Sequence, residues 1–188
     1  MHLRRLEPPD AALYRAFRLR GLQEHPDAFT SSFEEESRRP LADSESRLSS
    51  DSPTCMWGAF EGGELAGVFG FDREGRLKNA HKATLIGLFV APEFSGRGIG
   101  CALVAVVMQG ARDAGIALLV LTVTEGNAKA RALYARAGFQ TIGIEPDAIR
   151  VAGASFGKEH MFFQITPSPQ APLPPSLPPT RAAASAAA

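Results

Sequence analysis

The hydrophobic positions of this chain fall into short runs whose spacing alternates between strand-like and helix-like. Short apolar and β-branched runs predict strands, whereas spacing of three and four residues with polar caps predicts helices. In order, the pattern predicts a strand at 2–6, a helix from Asp10, a helix from Ser31 or Ser32 to Pro40, strands at 55–60, 65–71 and 82–90, a helix at 98–114, a strand at 117–123, a helix at 128–137, and strands at 139–144 and 160–165.

Local signals support several of these elements. Leu13, Phe17 and Leu22 are spaced to share one face of the first helix, which predicts that this face is buried. Ser31 and Ser32 each stand three residues before a glutamate, as in a capping box. The segment 61–64 has a Gly-Gly centre that is typical of a tight hairpin. Residues 40–52 are polar and receive no assignment.

The order of elements predicts an α/β fold. Antiparallel strands come first and feed a strand, helix, strand, helix, strand unit, which gives a mixed sheet with helices on both faces. At 188 residues, the chain is long enough for one domain, which we place at 1–165. Residues 166–188 are rich in proline and alanine and are predicted to form a disordered or polyproline II tail.

Composition narrows the classes of function. Lys plus Arg equal Asp plus Glu at 20 each, so no excess charge favours a nucleic acid or an anionic membrane as partner. The sequence has neither a signal-peptide pattern nor an apolar run long enough to span a membrane, and a cytoplasmic location is expected. Cys55 and Cys101 lack the spacing of a metal site, and Cys101 is expected to be a buried structural thiol. No metal is expected.

A glycine-rich turn carries the clearest chemical signal. Ser95-Gly96-Arg97-Gly98-Ile99-Gly100 follows an apolar strand and opens a helix. Glycines let the backbone approach an anion, and the helix amino terminus adds unpaired amide groups and the positive end of its dipole. Arg97 can add a charge-assisted contact. The sequence therefore predicts a phosphate-binding turn, with a purely structural bend as the alternative.

Two common nucleotide motifs do not fit this turn. Its spacing is G-x-G-x-G rather than the G-x-G-x-x-G of dinucleotide-binding folds, and no Gly-Lys-Ser/Thr follows as in a P-loop. The turn instead resembles the acyl-CoA-binding turn of the GNAT superfamily of N-acetyltransferases, (Arg/Gln)-x-x-Gly-x-(Gly/Ala) after a strand. Ser95 takes the place of the Arg or Gln in that pattern, and only its backbone amide is expected to contribute.

A second segment extends the resemblance. Asn127-x-x-Ala130-x-x-Leu133-Tyr134, followed by Gly138-Phe139, is similar to the second half of the GNAT pattern. The two halves together cover 85–139. The resemblance implies a mostly antiparallel, twisted GNAT-like sheet and direct transfer of acetyl from acetyl-CoA, as cosubstrate, to an amine.

The resemblance also implies roles for individual residues. Tyr134 aligns with the tyrosine that serves as general acid toward the CoA sulfur, with a buried core residue as the alternative. Asn127 aligns with an asparagine that hydrogen-bonds the cofactor arm, with a helix cap as the alternative. The backbone of 88–90 would pair with the pantetheine arm like an added strand. The expected cofactor-binding residues are Leu88, Phe89, Val90, Ser95, Gly96, Arg97, Gly98, Ile99, Gly100, Asn127 and Ala130.

The sequence does not single out the general base or the acceptor. Candidates for the base are Glu34, Glu35, Glu36, Glu125, His81 and His160. The acidic run 34–36 either attracts a cationic amine or is a solvated helix face. The expected acceptor is a small-molecule or peptide amine. Oligomeric state stays open, with a homodimer expected from general frequency alone.

Two other functions remain open. The chain could be a catalytically silent acyl-CoA-binding or sensing module on the same scaffold. It could instead transfer a longer acyl group.

Overall fold

The structure is a computed structural model that describes residues 1–165 of the chain. The predicted tail at 166–188 lies outside the described residues. In chain order, the elements are β1 (His2–Arg5), α1 (Ala11–Glu24), α2 (Phe33–Ser37), α3 (Leu41–Leu48), β2 (Thr54–Glu61), β3 (Glu64–Arg73), β4 (Lys82–Val90), α4 (Ile99–Asp113), β5 (Leu118–Thr124), α5 (Ala128–Arg136), β6 (Gln140–Val151) and β7 (Ala154–Gln164).

One seven-stranded sheet organises the molecule, in the order β1-β2-β3-β4-β5-β7-β6. Neighbouring strands are antiparallel except for β4 and β5, which are parallel. β7 lies between β5 and β6, so the chain crosses over before its last strand is added. The predicted mixed, mostly antiparallel α/β fold is confirmed.

Alternating side chains give the sheet two buried faces. Met56 and Val68 pack with residues of α1 and α3 in one core cluster. Cys55 and Phe69 point the other way and pack with α4 in the second cluster. A strand that buries both faces has little polar alternation, which explains the nearly continuous apolar character of β2 and β3.

Most predicted elements are present, with two differences from the prediction, one additional helix and a longer last hairpin. Ser32 caps α2 as expected: its hydroxyl accepts from the Glu35 amide at 3.1 Å, and the Glu35 carboxylate accepts from the Ser32 amide at 3.2 Å. The unassigned polar segment contains α3, which begins after Pro40. The last hairpin is longer than predicted, because β6 extends to Val151 and β7 begins at Ala154.

Two expectations about burial were wrong. Leu13 is 45% exposed, since the buried stripe of α1 runs through Tyr14, Phe17 and Leu22 instead. Cys101 is exposed on the solvent side of α4, whereas Cys55 is buried. The residues of α4 that face the sheet are Leu103, Val104 and Val107, among others.

The parallel pair of strands opens toward one end of the sheet. Pairing between β4 and β5 covers only Lys82–Thr84 with Leu118–Val120. Beyond Thr84, β4 continues to pair with β3 but has no pairing with β5. Gly87, with φ of +70°, is the extra residue of a bulge in β4, a conformation that favours glycine. The result is a cleft inside the sheet, between the second half of β4 and β5.

Candidate functional site

The cleft presents backbone rather than side chains along β4. Leu88 and Val90 direct their side chains into the core cluster on the α4 face, and Phe89 directs its ring into the cluster on the α1 face. The edge of 88–90 that faces β5 has no strand partner among the described residues. Its amide and carbonyl groups are therefore free to pair with an extended ligand.

The glycine-rich turn lies at the end of this free edge. Gly96 and Gly98 adopt φ of +79° and +78°, and a Cβ atom on either would meet nothing within 4 Å. Gly98 is the N-cap of α4 and no side chain caps the helix, so its first amide groups remain unpaired. Ile99 is buried and anchors the helix start. The turn has the open space and free donors that an anion requires.

Ser95 and Arg97, beside the glycines of the turn, differ in what they can offer a ligand. The Ser95 amide donates to the Pro92 carbonyl at 3.0 Å, so the expectation that this amide is available was wrong. The exposed Arg97 guanidinium lies over the Phe94 ring, 5.4 Å from its centroid, and donates to the Glu93 carbonyl at 3.4 Å. Only these weak contacts hold Arg97 in the described structure, which leaves its charge available at the turn.

An ion pair connects the turn to α1. The Arg20 guanidinium donates to both carboxylate oxygens of Glu93, at 2.6 and 2.8 Å. This hydrogen bonding from Arg20 lowers the pKa of Glu93 to about 2. Arg20 also donates to Glu24 at 2.7 Å. The bidentate geometry fixes the start of the turn relative to the helix that covers the opposite face of the sheet.

Asn127 is a helix cap in this structure. Its side-chain oxygen accepts from the Ala130 amide at 3.0 Å at the start of α5. This bond occupies the Ala130 amide and one of the two acceptor positions of the Asn127 oxygen. What remains for a ligand is the Asn127 side-chain NH₂ group, which is exposed, so the cap and the expected cofactor contact are compatible.

Tyr134 lies in the core with its ring between two other aromatic rings. The ring centroids of Phe69 and Phe139 are 6.1 and 5.7 Å away. Tyr134 is 6% exposed, and burial raises the pKa of its phenol above the ordinary value of 10.0. Within residues 1–165 its hydroxyl has no hydrogen-bond partner and is not sealed from solvent. The group is a protonated donor with nothing in the fold to satisfy it.

The candidate bases are scattered. Glu35 belongs to the cap of α2, and Glu36 is mostly covered and paired with Arg18 at 2.7 Å and Arg39 at 3.2 Å. Because of these pairs, the acidic run is not wholly a solvated face. His81 precedes β4 at the end where β4 and β5 are paired.

His160 and Glu125 are nearer the open end of the cleft. His160 lies on β7 opposite Thr122 of β5, two residues beyond the last β4–β5 pair. Its Nε2 is 2.8 Å from a carboxylate oxygen of Glu145. Glu125 follows β5 directly and is exposed.

A loop that sequence reasoning did not connect to the site closes over this end of the sheet. The segment 25–32 joins α1 to α2, and Thr124 donates to its Asp27 carbonyl at 2.6 Å. Lys158 donates to Thr30 at 3.1 Å and is 5% exposed. Burial lowers the pKa of Lys158, while Glu145 opposes that shift. Residues 158–159 received no assignment from the sequence, and only the pairing of β7 with β5 places them.

Two classes of site receive no support from the described residues. No helix within 1–165 is both long and apolar enough to cross a membrane. In the same range, no group of three or more His, Cys, Asp and Glu side chains is arranged to hold a metal ion.

Comparison with known proteins finds similar sequences and structures. The family described as "Acetyltransferase (GNAT) family" matches residues 19–139. The chain is 39% identical over 98 residues to the N-alpha-acetyltransferase RimI of Mycobacterium tuberculosis, a match that spans 52% of this chain and 59% of the relative. The chain thus spans less than two thirds of that relative's length.

Solved structures share the fold at low identity. A GNAT-family acetyltransferase from Streptococcus pneumoniae matches with a TM-score of 0.79 and 24% identity, covering 87% of this chain and 99% of the other. YncA from Salmonella typhimurium, described as a putative acetyltransferase with its cofactor acetyl-CoA, matches with a TM-score of 0.75 and 19% identity, covering 94% and 99%.

Proposed function

Since the chain belongs to the acetyltransferase (GNAT) family, we propose that it transfers the acetyl group of acetyl-CoA directly to an amine of a small molecule or a peptide. One observation carries this proposal: the free edge of β4 leads into an uncapped, glycine-rich helix start. An extended arm with a pyrophosphate at its end requires both parts in that order. A module that only bound phosphate would not need the open strand edge.

The proposed donor site has two parts with different functions. The backbone of 88–90 would hydrogen-bond the pantetheine arm as an added strand, and one of its amide groups would polarise the thioester carbonyl. The amides of the 96–100 turn would hold the pyrophosphate, with Arg97 adding charge. The Asn127 NH₂ group lies at the start of α5 and would donate to the arm from the β5 side.

Tyr134 would supply the proton for the departing thiolate. Burial keeps the phenol protonated through neutral pH, and its hydroxyl has no competing partner in the described fold. The same burial makes it a weaker acid than a free tyrosine, so it acts first as a hydrogen-bond donor and releases its proton as negative charge develops on sulfur.

His160 is our choice for the base that deprotonates the acceptor. Its side chain shares a sheet face with Lys158, which contacts the 25–32 loop, and lies beside the cleft. Glu145 would orient the ring. Glu125 is the alternative near the cleft, whereas His81 lies at the opposite end of the strands.

The proposal is tested by titrating the full chain calorimetrically with CoA, followed by detection of thiol release from acetyl-CoA against a panel of amines. Peptide amino termini belong in the panel because a relative is named an N-alpha-acetyltransferase. We expect CoA to bind and at least one amine to release thiol. Binding without release from any amine would favour the silent acyl-CoA module, and absence of binding would refute the site assignment. Parallel assays with longer acyl-CoA donors test the remaining alternative.

A further inference from the structure

A charged cavity lies between α1 and α3, apart from the glycine turn. Its volume is about 250 Å³, enough for a small polar group with a short carbon body. Four arginines and two carboxylates line it, an excess of positive charge: Arg15, Arg18, Arg39, Arg47, Glu36 and Asp43. The chain as a whole is neutral, so this excess is local.

Most of these charges already have partners. Glu36 binds Arg18 and Arg39, as described for the candidate bases. Arg15 donates to the backbone carbonyls of Ser37 and Arg39 at 2.9 and 3.0 Å. These contacts hold α2 against α1 and form the wall of the cavity. They leave Arg47 as the half-buried guanidinium of the cavity that forms no ion pair and no hydrogen bond with a carboxylate or a carbonyl among residues 1–165.

Tyr14 supplies a second donor that lacks a partner. It is 2% exposed, lines the cavity, and its hydroxyl forms no hydrogen bond within the described chain. The Arg47 guanidinium lies beside this hydroxyl and can donate only to its oxygen, so the hydroxyl proton has no acceptor. An unsatisfied buried hydroxyl is costly, and a guanidinium can only donate. The two groups together match an acceptor with negative charge, a carboxylate or a phosphate.

The cavity also points toward the donor site. Tyr14 and Arg18 line a second, small void whose other walls include Phe29 from the 25–32 loop and Gly87 and Phe89 from β4. Gly87 is the bulged residue next to the free edge at 88–90. Tyr14 and Arg18 therefore form the wall between the charged cavity and the part of β4 beside which the thioester is proposed to lie.

We propose that this cavity binds the anionic group, a carboxylate or a phosphate, of a small acceptor amine, with Arg47 and Tyr14 as its donors. The inference rests on the proposed function for the identity of the ligand as an acceptor. The acceptor is then a small amine that carries its own negative charge, rather than a purely cationic amine that the acidic run 34–36 would attract.

Binding is tested first without catalysis. The full chain, free of CoA, is titrated with inorganic phosphate and with succinate while its melting temperature is recorded at constant ionic strength. We expect saturable stabilisation of wild type that is weakened about ten- to hundredfold in Arg47→Gln and also reduced in Tyr14→Phe. Tyr14→Phe keeps the buried ring and removes only the unpaired hydroxyl, so its fold is preserved. Arg112→Gln on α4, across the sheet, is the charge-matched control and should respond like wild type.

Kinetics then test whether the anion belongs to the acceptor. Each amino-acid acceptor is compared with its carboxamide, and each aminoalkyl phosphate with its alcohol. In Arg47→Gln, we expect KM for the anionic member to rise about ten- to hundredfold while KM for the neutral member and kcat stay unchanged.

The outcomes separate the two ideas. No saturable response of wild type to either anion, or an equal response in Arg47→Gln, would overturn the anion site. An intact anion response with KM values indifferent to Arg47 would overturn its assignment to the acceptor. Thiol release from neutral amines alone supports the proposed function while refuting this inference. Failure of every amine beside an intact anion response refutes the proposed function and the acceptor assignment, and leaves the anion site standing.

Discussion

Replacing Gly98 with alanine separates the cost of folding the glycine turn from its role in binding. Gly98 has φ of +78°, and a Cβ atom there would enter open space. Gly115, just past the other end of α4, has φ of +74° and is equally open. Alanine at either position pays the left-handed backbone penalty, about 1–2 kcal/mol, partly offset by a stiffer unfolded chain. The two variants are therefore matched in strain and differ only in the end of the helix that they alter.

The expected stability loss is about 1 kcal/mol for both variants, which for a domain of this size is a fall in Tm of roughly 2–4 °C. Binding should separate them. A methyl group at Gly98 obstructs approach to amides whose hydrogen bonds to a charged group are worth about 1.5–3 kcal/mol. The Kd for CoA should rise about ten- to hundredfold in Gly98→Ala and stay at the wild-type value in Gly115→Ala.

The assay combines calorimetric titration with CoA and thermal melts of the same samples. If Gly98→Ala has the same Tm as Gly115→Ala but binds CoA like wild type, the turn does not contact the ligand and the donor site is misplaced. If both variants lose affinity equally, the effect comes from loosening α4 rather than from lost amide contacts.

Three further predictions concern residues around the cleft. Tyr134→Phe should bind CoA normally and lower kcat by about 10²–10⁴, and an unchanged kcat would contradict the acid role. Because burial raises the pKa of Tyr134, kcat of wild type should show no alkaline limb from this residue below pH 10.0, and such a limb that disappears in the variant would show that this pKa is not raised. His160→Gln should lower kcat by at least about a hundredfold when assayed with saturating acceptor, whereas His81→Gln, at the far end of the strands, should not; equal losses would refute the base assignment. Glu93→Gln should speed hydrogen exchange at the glycine turn and weaken CoA binding a fewfold, while Glu24→Gln, which removes the other partner of Arg20, should leave exchange and binding unchanged. Protection from exchange that persists in Glu93→Gln would show that the ion pair does not order the turn.

Local signals were sufficient for most of the fold. The capping box at Ser32 and the strand at 82–90 form where the pattern predicts them, because each depends on neighbours in sequence. The end of the last hairpin was missed for the opposite reason. Charged residues such as Lys158 and Glu159 are held in β7 by pairing with β5 and by partners far away in the chain, and no local pattern records such contacts.

The site, like the fold, has parts that local sequence predicts and parts that depend on distant contacts. A motif indicates where a turn ends and a helix begins, so the positions of Gly98 and Asn127 were predictable. The burial of Tyr14, the exposure of Leu13 and the exposure of Cys101 depend on which side of a helix meets the sheet, and periodicity over one helix fixes that side only approximately. The Arg47 cavity arises from three helices packed together, and α3 was not predicted at all.

The gap between β4 and β5 has a cost that any sheet with exposed edges bears. Backbone groups without partners invite an extended segment of another chain to pair with them, which is how sheets aggregate. The bulge at Gly87 lies within the part of β4 beyond Thr84 that has no pairing with β5, and it interrupts the regular spacing of the strand there, which disfavours pairing of a long strand along the whole gap. A short ligand such as the pantetheine arm, which has few amide groups, needs to pair only with residues 88–90. The irregularity in β4 thus makes this edge a poor template for a long protein strand while leaving its last residues available to a short ligand.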